Sequence, residues 1–334
     1  MKKEHRVLTG ITTTGVPHLG NLVGAVLPAI KASKLKNTAS FLFLADYHSL
    51  IKNSDSELRH RSSFDIAACW LACGLDPKKV IFYRQSDIPH IFELAWILSC
   101  LASKGLLNRA HAYKSAVSGN EGSSDPDKGI TMGLYSYPIL MAADILMFKA
   151  THVPVGQDQV QHLEMTRDIA QRFNHKHGDI FVIPEAILEK NASVLPGLDG
   201  RKMSKSYNNF IPLFSSSDDL RRHVMKIKTD SLEPGVPKPI DCNLFEIFKA
   251  FASDDESTNF KQKLEKGISW GDAKEELFLL LDSHLSEPRK EYEKLIQDPA
   301  NLNQELLLGA KRARELSVPF MSEVRSSLGI GKLD

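Results

Sequence analysis

The first half of the chain alternates short apolar runs with longer stretches of helical pattern, and this alternation constrains the fold more than any other feature. Short apolar runs predict buried strands, here at residues 6–11, 40–46 and 80–84. Helical stretches follow them, from residue 19 onwards and at 58–74 and 91–102. Strands alternating with helices predict an α/β fold, a doubly wound parallel sheet with helices on both faces.

Beyond about residue 214 the strand pattern disappears and only helical pattern remains. Predicted helices occupy residues 218–228, 244–252, 256–266, 271–285, 287–297 and 303–327. We therefore predict two domains, an α/β domain over residues 1–213 and an all-helical C-terminal domain over residues 214–334.

Two irregularities are expected within the α/β domain. Pro28 lacks the backbone N–H that a helix interior uses, so it should kink the first helix or end it early. Residues 118–129 are rich in glycine, serine and aspartate, which predicts a flexible loop.

The composition excludes several classes of protein. With 334 residues, of which 42% are hydrophobic and 25% charged, the chain has room for one large core and a second module. A net charge of +1 argues against a protein that is basic throughout, although a local nucleic-acid-binding face remains compatible with it. No stretch approaches the ~18 apolar residues of a membrane span, and no apolar signal segment precedes the first strand. We expect a cytoplasmic protein without membrane association.

A turn rich in glycine and threonine separates the first predicted strand from the first predicted helix. Three threonines, Thr12–Thr14, lead into residues 15–21, with the sequence Gly-Val-Pro-His-Leu-Gly-Asn. A helix N-terminus offers free N–H groups to phosphate, and Gly20 would let a nucleotide lie flat against the backbone. His18 and Asn21 can donate to phosphate oxygens. A histidine beside a glycine turn is also common on ordinary protein surfaces, so this motif needs support from elsewhere.

A second motif, Arg-Lys-Met-Ser-Lys-Ser at residues 201–206, follows the turn-forming residues 196–200. It places Lys202 and Lys205 in one short loop. Two ammonium groups on long side chains suit a triphosphate that must be bound and then released. A solvated basic loop is the simpler interpretation, but the two motifs together favour a nucleotide site.

The middle of the chain carries a single acid in an apolar helical segment, residues 135–146. Met141 and Asp144 are three residues apart and share one helix face, and Tyr137 lies one turn before Met141. A buried aspartate is costly unless it has a partner. Asp144 is therefore either a structural cap or pair, or an acceptor for a polar hydrogen on an otherwise apolar ligand.

The two motifs together resemble the signature pair of class I aminoacyl-tRNA synthetases. They read His18-Leu19-Gly20-Asn21 and Lys202-Met203-Ser204-Lys205-Ser206. Asn21 stands where the general pattern has histidine, a feature that several tryptophan enzymes share. From about Thr9 to Asn209 the chain is similar to bacterial tryptophanyl-tRNA synthetases, which implies a Rossmann-like catalytic domain. Thr12–Thr14 replaces the Gln-Pro-Ser of many such enzymes, so the role of that glutamine would pass to Thr12 or to water.

The resemblance implies a tryptophan site around the apolar helix. Asp144 would accept the indole N–H, Met141 would pack on the ring and Tyr137 would help to hold the α-amino group. Val153 would line the indole pocket and Gln159 would approach the amino group. The full set of implied tryptophan-binding residues is His48, Tyr137, Met141, Asp144, Val153 and Gln159.

The resemblance also implies an ATP site beside it, with Gly156 and Asp158 near the ribose. The implied ATP-binding residues are Thr12, Thr13, Thr14, Gly20, Asn21, Gly156, Asp158, Val194, Lys202, Met203, Ser204, Lys205 and Ser206. The implied catalytic residues are His18, Asn21, Lys114, Lys202 and Lys205. Mg²⁺ is expected on the phosphates of ATP, with no metal held by the protein itself.

The implied activity is that of a tryptophan–tRNA ligase. The tryptophan carboxylate attacks the α-phosphate of ATP, pyrophosphate leaves, and the 2′-hydroxyl of the terminal ribose of tRNA(Trp) then takes the aminoacyl group. Because the carboxylate is already an anion at pH 7, no general base is needed, and catalysis consists of alignment and charge stabilisation. The resemblance further implies a homodimer.

Two alternatives stay open from the sequence. A tyrosyl-tRNA synthetase would share the fold and both signatures, but residues 141–144 and 159–162 favour tryptophan. A synthetase-like module that binds nucleotide or RNA without catalysis would be expected to lack the signature lysines, and both are present.

The helical C-terminal domain is expected to bind the anticodon end of the tRNA. Basic residues cluster there at 221–222, at 226 and 228, and at 311–314. Ordinary solvated helix faces are the simpler interpretation of any one cluster. Some similar tryptophan enzymes carry an iron–sulfur cluster on four cysteines in this part. Here only Cys242 lies in the C-terminal half, so no cluster is expected, and Cys69 and Cys73 are predicted to be core thiols.

Overall fold

A computed structural model describes residues 5–13, 15, 17–51, 54–188 and 195–331. Its centre is a five-stranded sheet with the strand order β3-β2-β1-β4-β5, in which every pairing is parallel. The strands are β1 (His5–Thr12), β2 (Thr38–Ala45), β3 (Ile81–Arg84), β4 (His152–Val155) and β5 (Glu185–Leu188). The predicted α/β class with a doubly wound, Rossmann-like sheet is confirmed.

Helices cover both faces of the sheet and account for most of the remaining described residues. The first helical region combines α1 (Leu19–Asn21), a π-helical turn (Leu22–Val26) and α2 (Leu27–Ser33). The helices of the α/β part that follow are α3 (Asp46–Ser49), α4 (Ser56–Ala72), α5 (Pro89–Ser99), α6 (Lys104–Leu107), α7 (His111–Ser118), α8 (Met132–Met147) and α9 (Val160–His177). The later helices are α10 (Ser217–Met225), α11 (Asn243–Lys249), α12 (Asp254–Glu265), α13 (Trp270–Gln297) and α14 (Pro299–Ser327).

Two helices differ from the prediction at or near a proline. Pro28 occupies the first turn of α2, where its missing N–H costs nothing, and the irregularity takes the form of the π-helical turn before it. The separate helices predicted at 271–285 and 287–297 are wrong, because α13 continues through Pro288. An ion pair between Arg289 and Asp282, at 2.9 Å, bridges the two halves of α13 across the proline.

The core lies on both faces of the sheet, as the pleat of β2 shows. Leu42 and Leu44 belong to a cluster that also contains side chains of α4 and α13. Phe41 and Phe43 point the other way, into a cluster with side chains of α5, α8, α9 and α14. A strand buried on both faces is typical of a parallel sheet.

Helix α14 returns from the C-terminal part to cover the edge strand β3. A Cβ atom on Gly309 would lie 1.7 Å from the carbonyl oxygen of Phe82, so only glycine permits this approach. Covering an edge strand removes a template for unwanted pairing. Among the described residues, no helix combines the length and the apolar character needed to cross a membrane.

Candidate active site

A cavity of about 500 Å³ opens at the carboxyl ends of β1, β2 and β4. The sheet extends from β1 through β2 and β3 on one side and through β4 and β5 on the other. The crevice at this change of direction is the usual binding position in a doubly wound sheet. Eight of the residues named from the sequence line this one cavity: Thr12, His48, Tyr137, Met141, Asp144, Val153, Gly156 and Gln159. All six residues expected to contact tryptophan are therefore gathered in one place.

Asp144 is the buried acid of this cavity, with only 1% of its surface exposed. The amide nitrogen of Gln85 donates to both carboxylate oxygens at 2.9 Å, and Nε2 of His48 lies 3.0 Å from Oδ2. The amide oxygen of Gln85 accepts the backbone N–H of Tyr47 at 3.2 Å, which fixes the direction of the amide. Burial raises the pKa of Asp144, and the hydrogen bond to His48 is the largest opposing cause. The carboxylate is thus oriented before any ligand arrives.

A second hydrogen-bonded chain runs along the opposite side of the helix–loop junction. The Tyr137 hydroxyl lies 2.5 Å from Nε2 of His162, and Nδ1 of His162 lies 2.9 Å from the amide oxygen of Gln159. Since that amide oxygen can only accept, Nδ1 carries the proton and Nε2 accepts from Tyr137. Because the Tyr137 hydroxyl donates its one hydrogen to His162, its oxygen can only accept from a further partner. An ammonium group, which can only donate, suits this oxygen.

Gln85 and His162 are site residues that sequence reasoning missed. Gln85 is fully buried and directly follows β3, so a polar residue after the carboxyl end of a predicted strand was the available signal. His162 belongs to a segment singled out for its similarity but had no role of its own. Both side chains orient residues that were named, Asp144 in one case and Tyr137 in the other.

The first signature forms the start of the first helix, as predicted, and His18 is buried in it. Burial, and to a smaller extent the charge of Lys205, lowers the pKa of His18 to about 4, so the imidazole is neutral at pH 7. Asn21 accepts the backbone N–H of His18 at 3.1 Å, so its amide oxygen caps the helix. A Cβ atom on Gly20 would lie 3.0 Å from the His18 ring, which explains the glycine. Within the described ranges, Nδ1 of His18 and the buried hydroxyl of Thr13 have no hydrogen-bond partner.

Main-chain hydrogen bonds tie the segment that follows the second signature to the start of the first. The N–H of Leu19 donates to Ile211 at 3.1 Å, and the N–H of Leu213 donates to Pro17 at 3.0 Å. Met203 is buried in the core. Its Cβ lies 3.6 Å from the point where a Cβ atom would stand if Gly20 had one. The two signatures, far apart in sequence, are therefore neighbours in the structure.

Asn209 shapes the second signature loop and was not among the predicted residues. Its amide oxygen accepts the N–H of Ser204 at 2.9 Å, and its amide nitrogen donates to Asp199 at 2.6 Å and to the carbonyl of Lys202 at 3.1 Å. The hydrogen bond from Asn209, with help from Arg201, lowers the pKa of Asp199 to about 2. The hydroxyls of Ser204 and Ser206 lie 2.8 Å apart within the same loop.

The two signature lysines occupy different environments. Lys202 is exposed, whereas Lys205 is half-buried with its ammonium 3.5 Å from the position that a Cβ on Gly15 would take. Burial lowers the pKa of Lys205, and the charge of Asp65 opposes this effect. Lys205 thus lies against the turn that begins the first signature, and Lys202 does not.

Some predicted residues are not brought to the cavity. Lys114 is exposed on α7 and does not line the cavity. Ala112, two residues earlier on the same helix, does line it. Thr14 and Val194 lie outside the described residues, as does the side chain of Asp158. In the part of the chain that the structure describes, no three histidine, cysteine or acidic side chains converge as ligands for a metal.

Two residues of the basic cluster at 311–314 have partners within the protein. Arg312 donates to the carbonyl oxygens of Pro77 and Lys78, and Arg314 donates to that of Asp87. These guanidinium groups fasten α14 to the α/β part of the molecule. Arg221 and Arg222 are also paired, with Glu275 and Asp219 respectively. Lys226, Lys228 and Lys311 remain exposed.

The chain is similar over most of its length to a protein family and to several individual proteins of known activity. The family described as tRNA synthetases class I (W and Y) matches residues 1–286. The chain is 56% identical over 330 residues to a tryptophan–tRNA ligase of Pseudomonas putida, which covers 97% of this chain and 74% of the relative. It is 53% identical to a tryptophan–tRNA ligase of Neisseria meningitidis serogroup A, with 99% of both chains covered.

A solved structure shows the same fold with a similar extent. The tryptophanyl-tRNA synthetase of Campylobacter jejuni, crystallised with ADP and tryptophan, superposes with a TM-score of 0.89 at 39% identity, covering 97% of this chain and 99% of the other. These similarities remove the tyrosine enzyme and the non-catalytic module as alternatives. The chain belongs to the class I tRNA synthetases of the tryptophan and tyrosine group, and its activity is that of a tryptophan–tRNA ligase.

Proposed function

We propose that the cavity binds tryptophan with its indole N–H on Asp144 and its α-amino group near Tyr137 and Gln159. The observation that carries this proposal is the buried carboxylate of Asp144, held in place by Gln85 and His48. A carboxylate has about four lone-pair sites, so it can accept a third donor. Met141 and Val153, which line the same cavity, supply apolar walls for the ring.

The same geometry accounts for selectivity without an editing step. Phenylalanine has no N–H for Asp144, so it lacks a hydrogen bond to a charged group that contributes about 1.5–3 kcal/mol. A site that hydrogen-bonds a polar group of its substrate rejects analogues that lack the group. Tyrosine carries its hydroxyl at a different position on the ring and cannot place a donor at the same point.

ATP binds, in this proposal, across the two signature segments, with its α-phosphate next to the tryptophan carboxylate. The oxygen of that carboxylate forms the new bond to phosphorus while the bond to pyrophosphate breaks. Neutral His18 and the helix N-terminus donate hydrogen bonds, while Lys205 and Lys202 supply positive charge where negative charge develops. Gly156, in the cavity wall, is close enough to the strand ends to contact the ribose.

Mg²⁺ enters with ATP as part of the substrate. Hydroxyl, amide and ammonium groups dominate the signature segments, which suits a cation carried by phosphate oxygens and water better than one held by a protein cage. Lys114, exposed on α7, would approach the phosphates from across the cleft.

The helical part from residue 214 onwards is proposed to contact the anticodon end of tRNA(Trp). Exposed Lys226, Lys228 and Lys311 support this role, since lysines on the surface attract phosphate. We also propose a cytoplasmic homodimer. Exposed apolar side chains support an interface in the α/β part: Leu50 directly after α3, and Trp96 on α5, which has 72% of its surface exposed.

Pyrophosphate exchange with each of the twenty amino acids tests the proposed site. We expect exchange with tryptophan and none above background with phenylalanine or tyrosine at equal concentrations. Exchange with tyrosine at a comparable rate would contradict the proposed use of Asp144. A variant with exposed Lys104 changed to alanine serves as a preparation control and should behave like the parent.

A further inference from the structure

A buried acid lies outside the cavity, beneath the second signature. Asp65 on α4 has 6% of its surface exposed. The hydroxyl of Tyr292 donates to its Oδ1 at 3.1 Å, and the exposed Arg61 lies 3.9 Å from its Oδ2. Burial raises the pKa of Asp65, and the hydrogen bond from Tyr292 and the charges of Arg61 and Lys205 oppose this effect. A carboxylate at this depth is costly unless it has partners.

Helix α4 contacts the turn of the first signature one turn before Asp65. The hydroxyl of Ser62 accepts the N–H of Gly15 at 2.9 Å. Ser62 and Asp65 are three residues apart and share one face of α4. The ammonium of Lys205 lies 3.5 Å from the Cβ position of that same Gly15. One helix face therefore supports the first signature through Ser62 and meets the lysine of the second signature near Asp65.

Tyr292 connects this arrangement to the C-terminal helices. It lies on α13, and its ring stacks on Phe214 with centroids 4.3 Å apart and an interplanar angle of 18°. Phe214 directly follows Leu213, whose N–H is bonded to Pro17 of the first signature. The hydroxyl of Tyr292 is thus fixed by its ring packing and reaches Asp65 from the side opposite to the exposed Arg61.

We propose that Asp65 is a positioning residue for Lys205, oriented by Tyr292, and that it holds the ammonium of Lys205 beside the first signature until ATP binds. The proposal rests on the role given above to Lys205. A lysine side chain loses rotamer entropy when its ammonium is held in one place, so a fixed counter-charge lowers the cost of placing that ammonium. When ATP binds, its phosphates carry a larger negative charge than Asp65, so the ammonium of Lys205 then pairs with the phosphates, which lie close to it.

Replacing the carboxylate by its neutral isostere tests the proposal. Asp65→Asn should slow adenylate formation in single-turnover experiments about tenfold, while the KM for tryptophan stays within about twofold. Tyr292→Phe, which keeps Asp65 but removes the hydroxyl that orients it, should slow the same step about threefold. Arg61→Gln is the matched control, since it removes the exposed positive charge that lies beside the Asp65 carboxylate. This variant should leave the rate of adenylate formation unchanged.

A double-mutant cycle with Lys205→Ala separates positioning from a structural role. In the Lys205→Ala background, Asp65→Asn should cause no further loss, because the ammonium that it positions is gone. An equal loss in both backgrounds, or a parent-like rate for Asp65→Asn, would overturn the proposal while leaving the role of Lys205 intact. A parent-like rate for Lys205→Ala alone would overturn both. If Asp65→Asn does not fold, Tyr292→Phe in the two backgrounds decides in the same way.

Discussion

Asp144→Asn is the most informative single change in the tryptophan site. Asparagine keeps the volume of the side chain but replaces one acceptor oxygen by an N–H₂ group. The backbone N–H of Tyr47 fixes the direction of the Gln85 amide, so the nitrogen of Gln85 must still face position 144. Nε2 of His48 donates to the same group. One oxygen would then have to serve two protein donors and the indole N–H.

The size of the effect follows from the hydrogen bonds that are lost. A hydrogen bond to a charged group contributes about 1.5–3 kcal/mol. We therefore expect the ratio of kcat/KM for tryptophan to that for phenylalanine to fall by roughly 10- to 150-fold. The unliganded protein should also lose stability, because the donors of Gln85 and His48 compete for a single oxygen. Each kcal/mol of that loss lowers the Tm by about 2–4 °C.

Steady-state kinetics with both amino acids measures this ratio, and thermal unfolding measures the stability. Asp168→Asn provides a control, since Asp168 is an exposed aspartate on α9, 3.9 Å from Arg109. The control should leave both quantities unchanged. A change of the ratio by less than about threefold, or roughly 0.6 kcal/mol, would show that Asp144 has only a structural role.

Three further changes test other parts of the structure. Lys205→Ala should slow adenylate formation by roughly 10²–10³-fold without weakening tryptophan binding. Lys202→Ala should have a milder effect, because only Lys205 is half-buried against the first signature. Equal effects of the two variants in single-turnover kinetics would contradict this expectation. The pKa of His18 is lowered from 6.5 to about 4, so the unfolded chain binds the extra proton and stability should fall by up to roughly 3 kcal/mol as the pH drops from 6.5 to 4. His18→Asn should remove that part of the pH dependence in urea unfolding, and an unchanged dependence would refute the assignment. Arg314→Ala should lower the Tm by several degrees because its bond to a backbone carbonyl is lost, whereas the exposed Lys311→Ala should not; a Tm unchanged by Arg314→Ala would contradict this structural role.

The sequence predicted the strand–helix alternation well because it is a local pattern. Three apolar runs became β1, β2 and β3, and the helical patterns at 58–74 and 91–102 became α4 and α5 within a few residues at each end. The errors fall where tertiary contacts outweigh local preference. Proline predicts a break near residue 288, yet α13 stays continuous because its apolar stripe packs in the core and an ion pair spans the proline.

The residues of the tryptophan cavity were recognisable from the sequence because they fall in short motifs. Their partners were not, since Gln85 is 59 positions from Asp144 and has no motif of its own. The same holds for Asn209, whose amide organises the loop before it, and for Tyr292, which reaches Asp65 across 227 positions. The partners of the basic cluster were hidden for a related reason, because the sequence shows the charge of Arg312 but not the carbonyl oxygen that accepts from it.

The short strands β4 and β5 were not predicted, whereas the sequence by itself determined the first three strands and the helices that follow them, the two signatures and the single acid of an apolar helix. These are local properties, set by side-chain periodicity and by turn residues. Only the tertiary structure decided which partner each polar side chain would have, because that depends on contacts between distant segments. Burial makes His18 neutral, Gln85 orients Asp144, and the turn at Gly15 lies against Lys205 and not Lys202. The sequence identifies a reactive side chain, but the packing around that side chain sets its charge state and its orientation.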